Sequence, residues 1–525
     1  MTIDWEDLLK QREINLADIL LKRHVREGND MRRAICYEDR SYSYRELIFE
    51  TGRRANVLRM SGVKQGDRVL LVVPDNPSFV TSFFAILAVG GVAVLANPQL
   101  PGADLGYMSS HVGAKLAIVY HGIADKMTGL ITTGTKILLC GDGHMDIGEL
   151  DLAAAEQQAD FDIVSTAASD LAYVLFSSGT TGNPKAIPRR HVDILYCARA
   201  YADEVINLCA DDLVVAVPKL TFGYALGGAL LFSMLFGAAA VIFPQRTTAQ
   251  VLFELFERFR PSIFLGSPRI IAELLNSRQA AMLRDLRIAT SAGESLPPSV
   301  FEQWRQDVNV PLLDGFGSTE AGHIFLSNFP QNIVSGSCGK CLSTFQVKLI
   351  DNQGHLVEEG QVGRMCIAGP SVADQYLNDS ERSAEAFDGP WHISKDLFVY
   401  HDGVYSYVGR ADDMIKKGCG EWVSPYEVED ELLKLSFVLE CAVVGSQSSS
   451  GVITLKAYVA CKHDTPISEK LALALIDHTR QRWPDFPHKH LDQVEFIESL
   501  PRTNSGKIQR HLLRQQTLTE FSYDC

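Results

Sequence analysis

Short apolar runs alternate with helix-length segments through the first 330 residues, and each run closes on small or polar residues. Val69 to Val73 follows the turn Lys64-Gln65-Gly66-Asp67, and Val92 to Leu95 leads to Asn97-Pro98. The texture recurs at Leu213–Val217, at Ser262–Leu265 before Gly266-Ser267-Pro268, and at Arg287–Thr290 before Ser291-Ala292-Gly293-Glu294. Leu47 to Leu58 reads as an amphipathic helix, and Phe79 to Val89 as a helix stopped by Gly90-Gly91. Buried strands separated by helices are the pattern of parallel sheets in the α/β class. In open parallel sheets ligands collect at the carboxyl ends of the strands, so several small-residue ends could converge on one site.

At 525 residues the chain exceeds what one hydrophobic core supports, so at least two domains are expected. A formal charge of −15 argues against general binding to nucleic acid or an anionic membrane. Eleven scattered cysteines do not resemble a disulfide framework and fit a reduced, cytoplasmic setting. Cys338-Gly-Lys-Cys341 is a C-x-x-C without a second pair at zinc-site spacing. The N-terminus has no uninterrupted apolar core and does not read as a secretory signal. Leu220 to Gln245 carries no charge, but its glycines and Pro244 fit a buried helix followed by a buried strand, Ala239 to Phe243, better than a membrane span. After residue 330 the texture changes to short strands with turns (Phe345–Ile350, Gly363–Ala368, Gly403–Val408), which suggests a β-rich subdomain.

The apolar run Leu171 to Phe176 empties into Ser177, Ser178, Gly179, Thr180, Thr181 and Gly182, with Lys185 three residues on. Glycines let main-chain N–H groups approach an anion, hydroxyls add donors, and the lysine adds charge. Such a loop suits a polyphosphate; a surface linker of small polar residues is the plain alternative. It is not the G-x-x-x-x-G-K-[ST] loop, because Pro184 and Ala186 stand where that pattern needs Gly and Ser or Thr. Downstream, Gly315 and Gly317 flank Phe316, which leaves a flat aromatic face free to lie against a base. Asp314 precedes them, and Thr319-Glu320 puts a hydroxyl and a carboxylate nearby. A carboxylate beside a triphosphate is a natural Mg²⁺ ligand, whereas an ordinary loop with one Glu needs no function. Lys507, on the Gly-flanked turn 501–510, is either a lysine deliverable to an anionic centre or part of a basic surface turn.

Ser-Gly-Thr-Thr-Gly-x-Pro-Lys at 178–185, Asp314-Gly-Phe-Gly-Ser-Thr-Glu320 and Pro501-Arg-Thr-Asn-Ser-Gly-Lys507 occur in the order found in the adenylate-forming superfamily, which the chain resembles. That superfamily includes acyl- and aryl-CoA ligases, peptide-synthetase adenylation domains and beetle luciferases. The resemblance implies a large N-terminal domain (1–411) of two parallel-type sheets plus the β-rich subdomain, which binds ATP and the acid. It also implies a small mobile α+β C-terminal domain (412–525) that carries Lys507 as the catalytic lysine. By the same match Phe316 would stack on adenine, Asp314 would lie at its edge, and Ser291, Ala292, Gly293 and Glu294 would line it. Thr319 would face the α-phosphate, Glu320 would hold Mg²⁺, Asp396 would bind the ribose hydroxyls, Arg410 would support ribose and phosphate, and Asp412 would be the hinge. Ala186 replaces the usual glycine, Ser394-Lys395 replaces the usual Thr-Gly before the aspartate, and the 416–421 loop is one residue longer than typical. Gly336 to Cys341 lies where the superfamily often has Gly-x-x-Gly-Lys-Pro, which makes the C-x-x-C incidental.

Lys219-Leu-Thr-Phe222-Gly223-Tyr224-Ala225 and Thr319-Glu-Ala-Gly-His323 look like benzoate-type aryl-CoA ligases, including those for hydroxybenzoate and anthranilate. By that resemblance Phe222, Tyr224 and His323 would line the acyl pocket, and Gly223, Ala225 and Gly317 would leave room for a flat ring; core packing of Tyr224 and His323 is the alternative. The implied enzyme uses ATP, Mg²⁺ and coenzyme A on a small aromatic acid, as monomer or homodimer. A stand-alone enzyme loading a carrier protein, or a non-catalytic nucleotide-binding regulator, are the competing readings. A hydrolase with a nucleophile elbow is excluded, since no G-x-S-x-G occurs.

Overall fold

The computed structural model describes residues 3–144, 146–177, 183–277, 279–417, 421–447, 453–462, 465–502, 508–515 and 522–524. Two large sheets dominate. The first has six strands in the order Lys136–Cys140, Leu116–Tyr120, Arg68–Val72, Val92–Leu95, Leu171–Ser177 and Lys185–Arg190. All neighbours in it are parallel except the last pair, in which Ser177 stands opposite Lys185. The second sheet has nine strands. Its parallel centre runs Leu312–Gly317, Ile288–Ser291, Ile263–Gly266, Leu213–Ala216, Ala239–Val241 and Arg33–Tyr37, with antiparallel strands at both edges.

Side-chain alternation explains why the runs are continuously apolar. Leu71 faces the core shared by the two sheets, whereas Leu70 and Val72 face a second core on the outer side. In the other sheet Val214 points to the shared core, and Leu213 and Val215 point away. Both faces of both sheets are covered, as parallel sheets require. Helix Pro77–Ala88, capped by Asn76, is buried at every residue and belongs to the shared core. Helix Tyr44–Met60 begins with a capping box between Ser43 and Glu46, as its Ser-Tyr-Arg-Glu start dictates.

The charge-free stretch resolves into a helical segment, Gly223–Phe236, ended by Gly237 at φ 72°, and the short strand Ala239–Val241. Its middle, Leu226–Leu231, is a π-helical turn. Among the described residues no helix is long and apolar enough to cross a membrane.

One boundary departs from expectation. The apolar run Val310 to Leu313 ends at Asp314, yet the strand continues to Gly317, so Asp314, Gly315 and Phe316 are strand rather than loop. The glycines make this possible: a Cβ on Gly317 would lie 2.7 Å from the His323 carbonyl oxygen, and one on Gly315 would lie 3.0 Å from that of Leu326. Strand Ile324–Ser327 therefore packs backbone to backbone against the motif.

Residues 346–410 form an antiparallel five-stranded sheet centred on Trp391–His401. Beyond it, Val438–Gln447, Ile453–Cys461, Gln493–Phe496 and Ser522–Asp524 form a four-stranded sheet packed by helices Pro425–Leu432 and Glu469–Arg482. The main core of this last unit draws on residues from Ile415 to Phe496 and on none of the earlier sheets.

Candidate active site

The strand ends do converge. Lys185 opens the sixth strand of the first sheet, and its Nζ donates to Tyr376 Oη at 3.2 Å while lying 4.4 Å from that ring's centroid. Tyr376 Oη in turn donates to Glu320 Oε1 at 3.0 Å. Burial pulls the Lys185 ammonium down from its ordinary range, with Glu320 opposing. Burial would push Glu320 up, but His392, the backbone, Lys185 and Tyr376 outweigh it and hold the carboxyl below the usual range. An ionised, partly buried carboxylate oxygen is the donor that Mg²⁺ takes when phosphate supplies the other ligands, so Glu320 fits that role.

Arg189, four residues after Lys185 and fully buried, clamps this corner. Its guanidinium donates to the carbonyls of Thr319, Glu320 and Ser371, the Glu320 bond at 2.6 Å. Thr319-Glu320 and the chain leading to Tyr376 are thus both fixed to the strand that bears Lys185. Neither Arg189 nor Tyr376 was picked out by motif; strand alternation from Lys185 could have turned Arg189 inward, but nothing local marks Tyr376.

On the nucleoside side, Asp396 and Arg410 are cross-strand partners, with Arg410 Nη1 3.8 Å from Asp396 Oδ1. Arg410 Nε donates to Asp412 Oδ1 at 3.1 Å, which ties the expected ribose residues to the expected hinge. Phe316 sits among Phe325, Phe398 and Tyr407, stacked on the last with centroids 5.6 Å apart. Asp314 is opposite Ser291 in the parallel register, and burial pushes its carboxyl well up. Ser291 and Ala292 are buried, Gly293 takes φ 94° in open space, and Glu294 points to Arg502 across a 3.0 Å ion pair. Ser178, Gly179, Thr180, Thr181, Gly182 and Lys507 lie outside the described residues, as does the tip of the 416–421 loop.

The acyl-side residues also meet. His323 is 3% exposed and packs against Tyr201, Tyr224 and Phe232, with centroids 5.2, 5.7 and 4.7 Å away. Its Nε2 lies 3.2 Å from the Tyr224 carbonyl, which can only accept, so that nitrogen carries the proton. Burial drives its pKa down to about 4, so the ring is neutral at ordinary pH. Tyr224 Oη pairs with Thr290 Oγ1 at 2.5 Å. Phe222 precedes the first helical turn, a Cβ on Gly223 would lie 3.3 Å from Leu175 Cδ1, and Ala225 is wholly buried in the core.

Two glycines absent from the expected pocket set the histidine's place. A Cβ on Gly227 would come 2.7 Å from His323 Cδ2, and one on Gly228 would come 3.3 Å from Nε2. Beneath this segment Asp75, buried, accepts the Leu220 N–H at 3.1 Å on both oxygens. Burial pushes Asp75 up to about 6 and Lys219 down to about 8. A separate cleft of about 280 Å³, lined by Ser327, Asn328, Phe329 and Lys340, contains none of the residues expected at the site.

A lysine and a tyrosine-bound carboxylate at the ends of two parallel-type sheets, with a ribose-suited Asp–Arg pair on the antiparallel sheet, define a nucleotide-handling α/β protein. The AMP-binding enzyme family model matches residues 21–377, and that of the AMP-binding enzyme C-terminal domain matches residues 427–507. The chain is 35% identical over 508 residues to a benzoate–CoA ligase of Thauera aromatica, covering 95% of each. Its structure superposes with a TM-score of 0.89 on a benzoate CoA ligase of Burkholderia xenovorans LB400, at 33% identity over 96% of this chain and 100% of that one. The anthranilate CoA ligase AuaEII, solved with anthranoyl-AMP, gives a TM-score of 0.90 at 32% identity over 98% of each chain. The chain belongs to the AMP-binding enzyme family, the adenylate-forming superfamily expected from its motifs.

Proposed function

We propose that this protein is an ATP-dependent aryl-carboxylate–CoA ligase acting on benzoate or a simple hydroxy or amino derivative. One observation carries the reading: Glu320 and His323 lie three residues apart on the connection between strands Leu312–Gly317 and Ile324–Ser327, so the phosphate-side carboxylate adjoins the aromatic pocket. An acid held against Tyr224 and His323 would present its carboxylate towards the phosphate corner.

In the first step that carboxylate attacks the α-phosphorus of ATP, giving acyl-AMP and pyrophosphate. Lys185 and Lys507 offset the charge that builds up, Thr319 faces the α-phosphate, Asp396 and Arg410 hold the ribose, and Phe316 backs the adenine. Mg²⁺ held by Glu320 would neutralise phosphate charge. Most of the catalytic effect is electrostatic preorganisation and positioning. In the second step the domain 412–525 turns about Asp412 and withdraws Lys507; the CoA thiol then attacks the acyl carbon, and AMP leaves. The cysteine pattern supports a reducing, cytoplasmic setting.

The test is incubation with ATP, Mg²⁺, CoA and a panel of benzoate, hydroxybenzoates, anthranilate and medium-chain fatty acids, read by mass spectrometry. Aryl-CoA with AMP is the expected result. Acyl-AMP without aryl-CoA would shift the acceptor to a carrier protein, and no product from any acid would overturn the reading.

A further inference from the structure

Far in sequence from the strands that lead into Asp412, residues 412–525 meet the large domain through the guanidinium of Arg502. Its Nη1 donates to Glu294 Oε1 at 3.0 Å, and its Nη2 donates to Glu440 Oε2 at 2.6 Å. Glu294 stands on the loop after strand Ile288–Ser291, and Glu440 on the C-terminal strand Val438–Gln447. One carboxylate therefore belongs to each domain. The other Glu440 oxygen accepts the Leu500 N–H at 3.0 Å, which fixes that partner within its own domain. Arg502 is also paired through its backbone with Ile508, and Lys507 lies between the two in sequence.

We infer that Arg502 is a positioning residue for the adenylation step. Its ion pair with Glu294 holds the C-terminal domain against the adenine-side loop, and Glu440 keeps the guanidinium oriented when that pair opens. The inference rests on the two-step ligase reading above. A turn about Asp412 carries Arg502 and Glu440 together and leaves Glu294 behind, so the Glu294 arm is broken and the Glu440 arm is kept. The three side chains are 19%, 27% and 21% exposed, neither buried nor free in solvent. A pair in that range suits a contact made and broken at every turnover, since water can replace either partner. A buried pair would leave an uncompensated charge on opening. Because Glu294 is met in one arrangement only, the pair biases the equilibrium between the two arrangements by its full differential energy.

The test uses the full-length protein and the variants Glu294→Gln, Arg502→Gln and the double variant. Acyl-AMP formation is followed by ATP–pyrophosphate exchange, and the second step by thioester formation from supplied aroyl-AMP and CoA. Each single variant is expected to slow the first step about three- to tenfold, the scale of one partly exposed charged contact, while the second stays within about twofold for Arg502→Gln, which leaves the adenine-side loop intact. The double variant should be no slower than the slower single one, because both remove the same interaction. ATP affinity of Arg502→Gln should be unchanged, which separates domain positioning from nucleotide contact. Equal slowing of both steps, no slowing of the first, or multiplicative effects in the double variant would overturn the inference while leaving the ligase intact. A wild-type protein that forms no acyl-AMP from any acid would overturn the ligase reading and this inference with it.

Discussion

Tyr376 donates its hydroxyl proton to Glu320 at 3.0 Å while accepting from Lys185 at 3.2 Å, so one phenol bridges the two charged groups of the phosphate corner. Neither Glu320 nor Lys185 can shift without moving the other. Tyr376→Phe keeps the ring over which Lys185 lies and removes only the bridge. A hydrogen bond to a charged group is worth about 1.5–3 kcal/mol, so acyl-AMP formation should fall roughly ten- to a hundredfold. Urea stability should fall by about 1.5–3 kcal/mol as the same bond is lost from the folded state. Full exchange activity in the variant would show that the bridge holds nothing the reaction uses.

Glu320→Gln separates position from charge. The amide can still accept from Tyr376, but it lacks the negative charge that Mg²⁺ and Lys185 face. The magnesium concentration for half-maximal adenylation should rise several-fold. An unchanged magnesium titration would remove Glu320 as the ligand.

His323 occupies its place because Gly227 and Gly228 leave it room. Gly227→Ala would drive a methyl into His323 Cδ2, at 2.7 Å before relaxation. A Cβ on the adjoining Gly228 would likewise meet Leu265 Cδ1 at 2.6 Å, so this side of the helix is packed without spare room. The imidazole should therefore tilt towards Tyr224, raising KM for the aromatic acid more than KM for ATP, at a stability cost of about 1–3 kcal/mol. Equal effects on both KM values would place His323 outside the acyl pocket.

What could be read from the chain follows from what kind of interaction made each part. Strands Val92–Leu95 and Leu213–Ala216 were legible because burial on both sheet faces leaves a continuous apolar run. Lys185 and Glu320 could be singled out because each sits in a short motif, and the structure brings both to Tyr376. Arg189 and Tyr376 were not, because their roles are contacts across 130 and 56 residues that no local pattern records. The strand at Asp314–Gly317 was missed because glycine has poor strand propensity; here it is tolerated only through the close approach of Ile324–Ser327.

Acid should destabilise the fold through two buried histidines. His323 and His191 are each driven by burial from 6.5 to about 4, and His191 Nδ1 accepts the Leu16 N–H at 3.2 Å. Their folded-state values are depressed, so the stability they contribute is fully present above about 6.5 and is lost as pH falls through about 4. Each accounts for roughly 3 kcal/mol over that window. Asp75, raised from 3.8 to about 6, works in the opposite sense: its contribution is full below 3.8 and lost as pH rises through 6. Burial raises Asp193, Asp314 and Asp430 in the same sense as Asp75 and lowers His24 and His392 in the same sense as His323, so the test isolates the share of one histidine. His191→Gln, which can still accept from Leu16, should flatten the fall in urea midpoint between about pH 6.5 and pH 4. An unchanged pH slope would show that His191 is charged in the folded protein.

Arg189 should be the costliest cation to remove from this corner. Its charge is fully buried, it satisfies three carbonyl oxygens, and it lies 3.7 Å from Asp193 Oδ2, itself buried. Burial raises Asp193, and Arg189 is the main group that opposes the rise. Arg189→Met fills the volume but orphans the carbonyls of Thr319, Glu320 and Ser371 and leaves Asp193 to the half-exposed Arg190. A loss of about 3–5 kcal/mol is expected, with acyl-AMP formation falling alongside it because Glu320 loses its backbone anchor. Arg189→Lys keeps the charge, yet one ammonium cannot span three carbonyls on two chain segments, so it should recover stability only in part. Arg190→Met is the graded comparison: Arg190 is 36% exposed but holds the buried Asp193 at 2.8 Å, so its loss should cost about 1–3 kcal/mol, less than that of the fully buried clamp. Equilibrium unfolding in urea ranks the three variants, and equal costs for Arg189→Met and Arg190→Met would show that the three carbonyl contacts of the buried clamp add nothing to its pairing with Asp193.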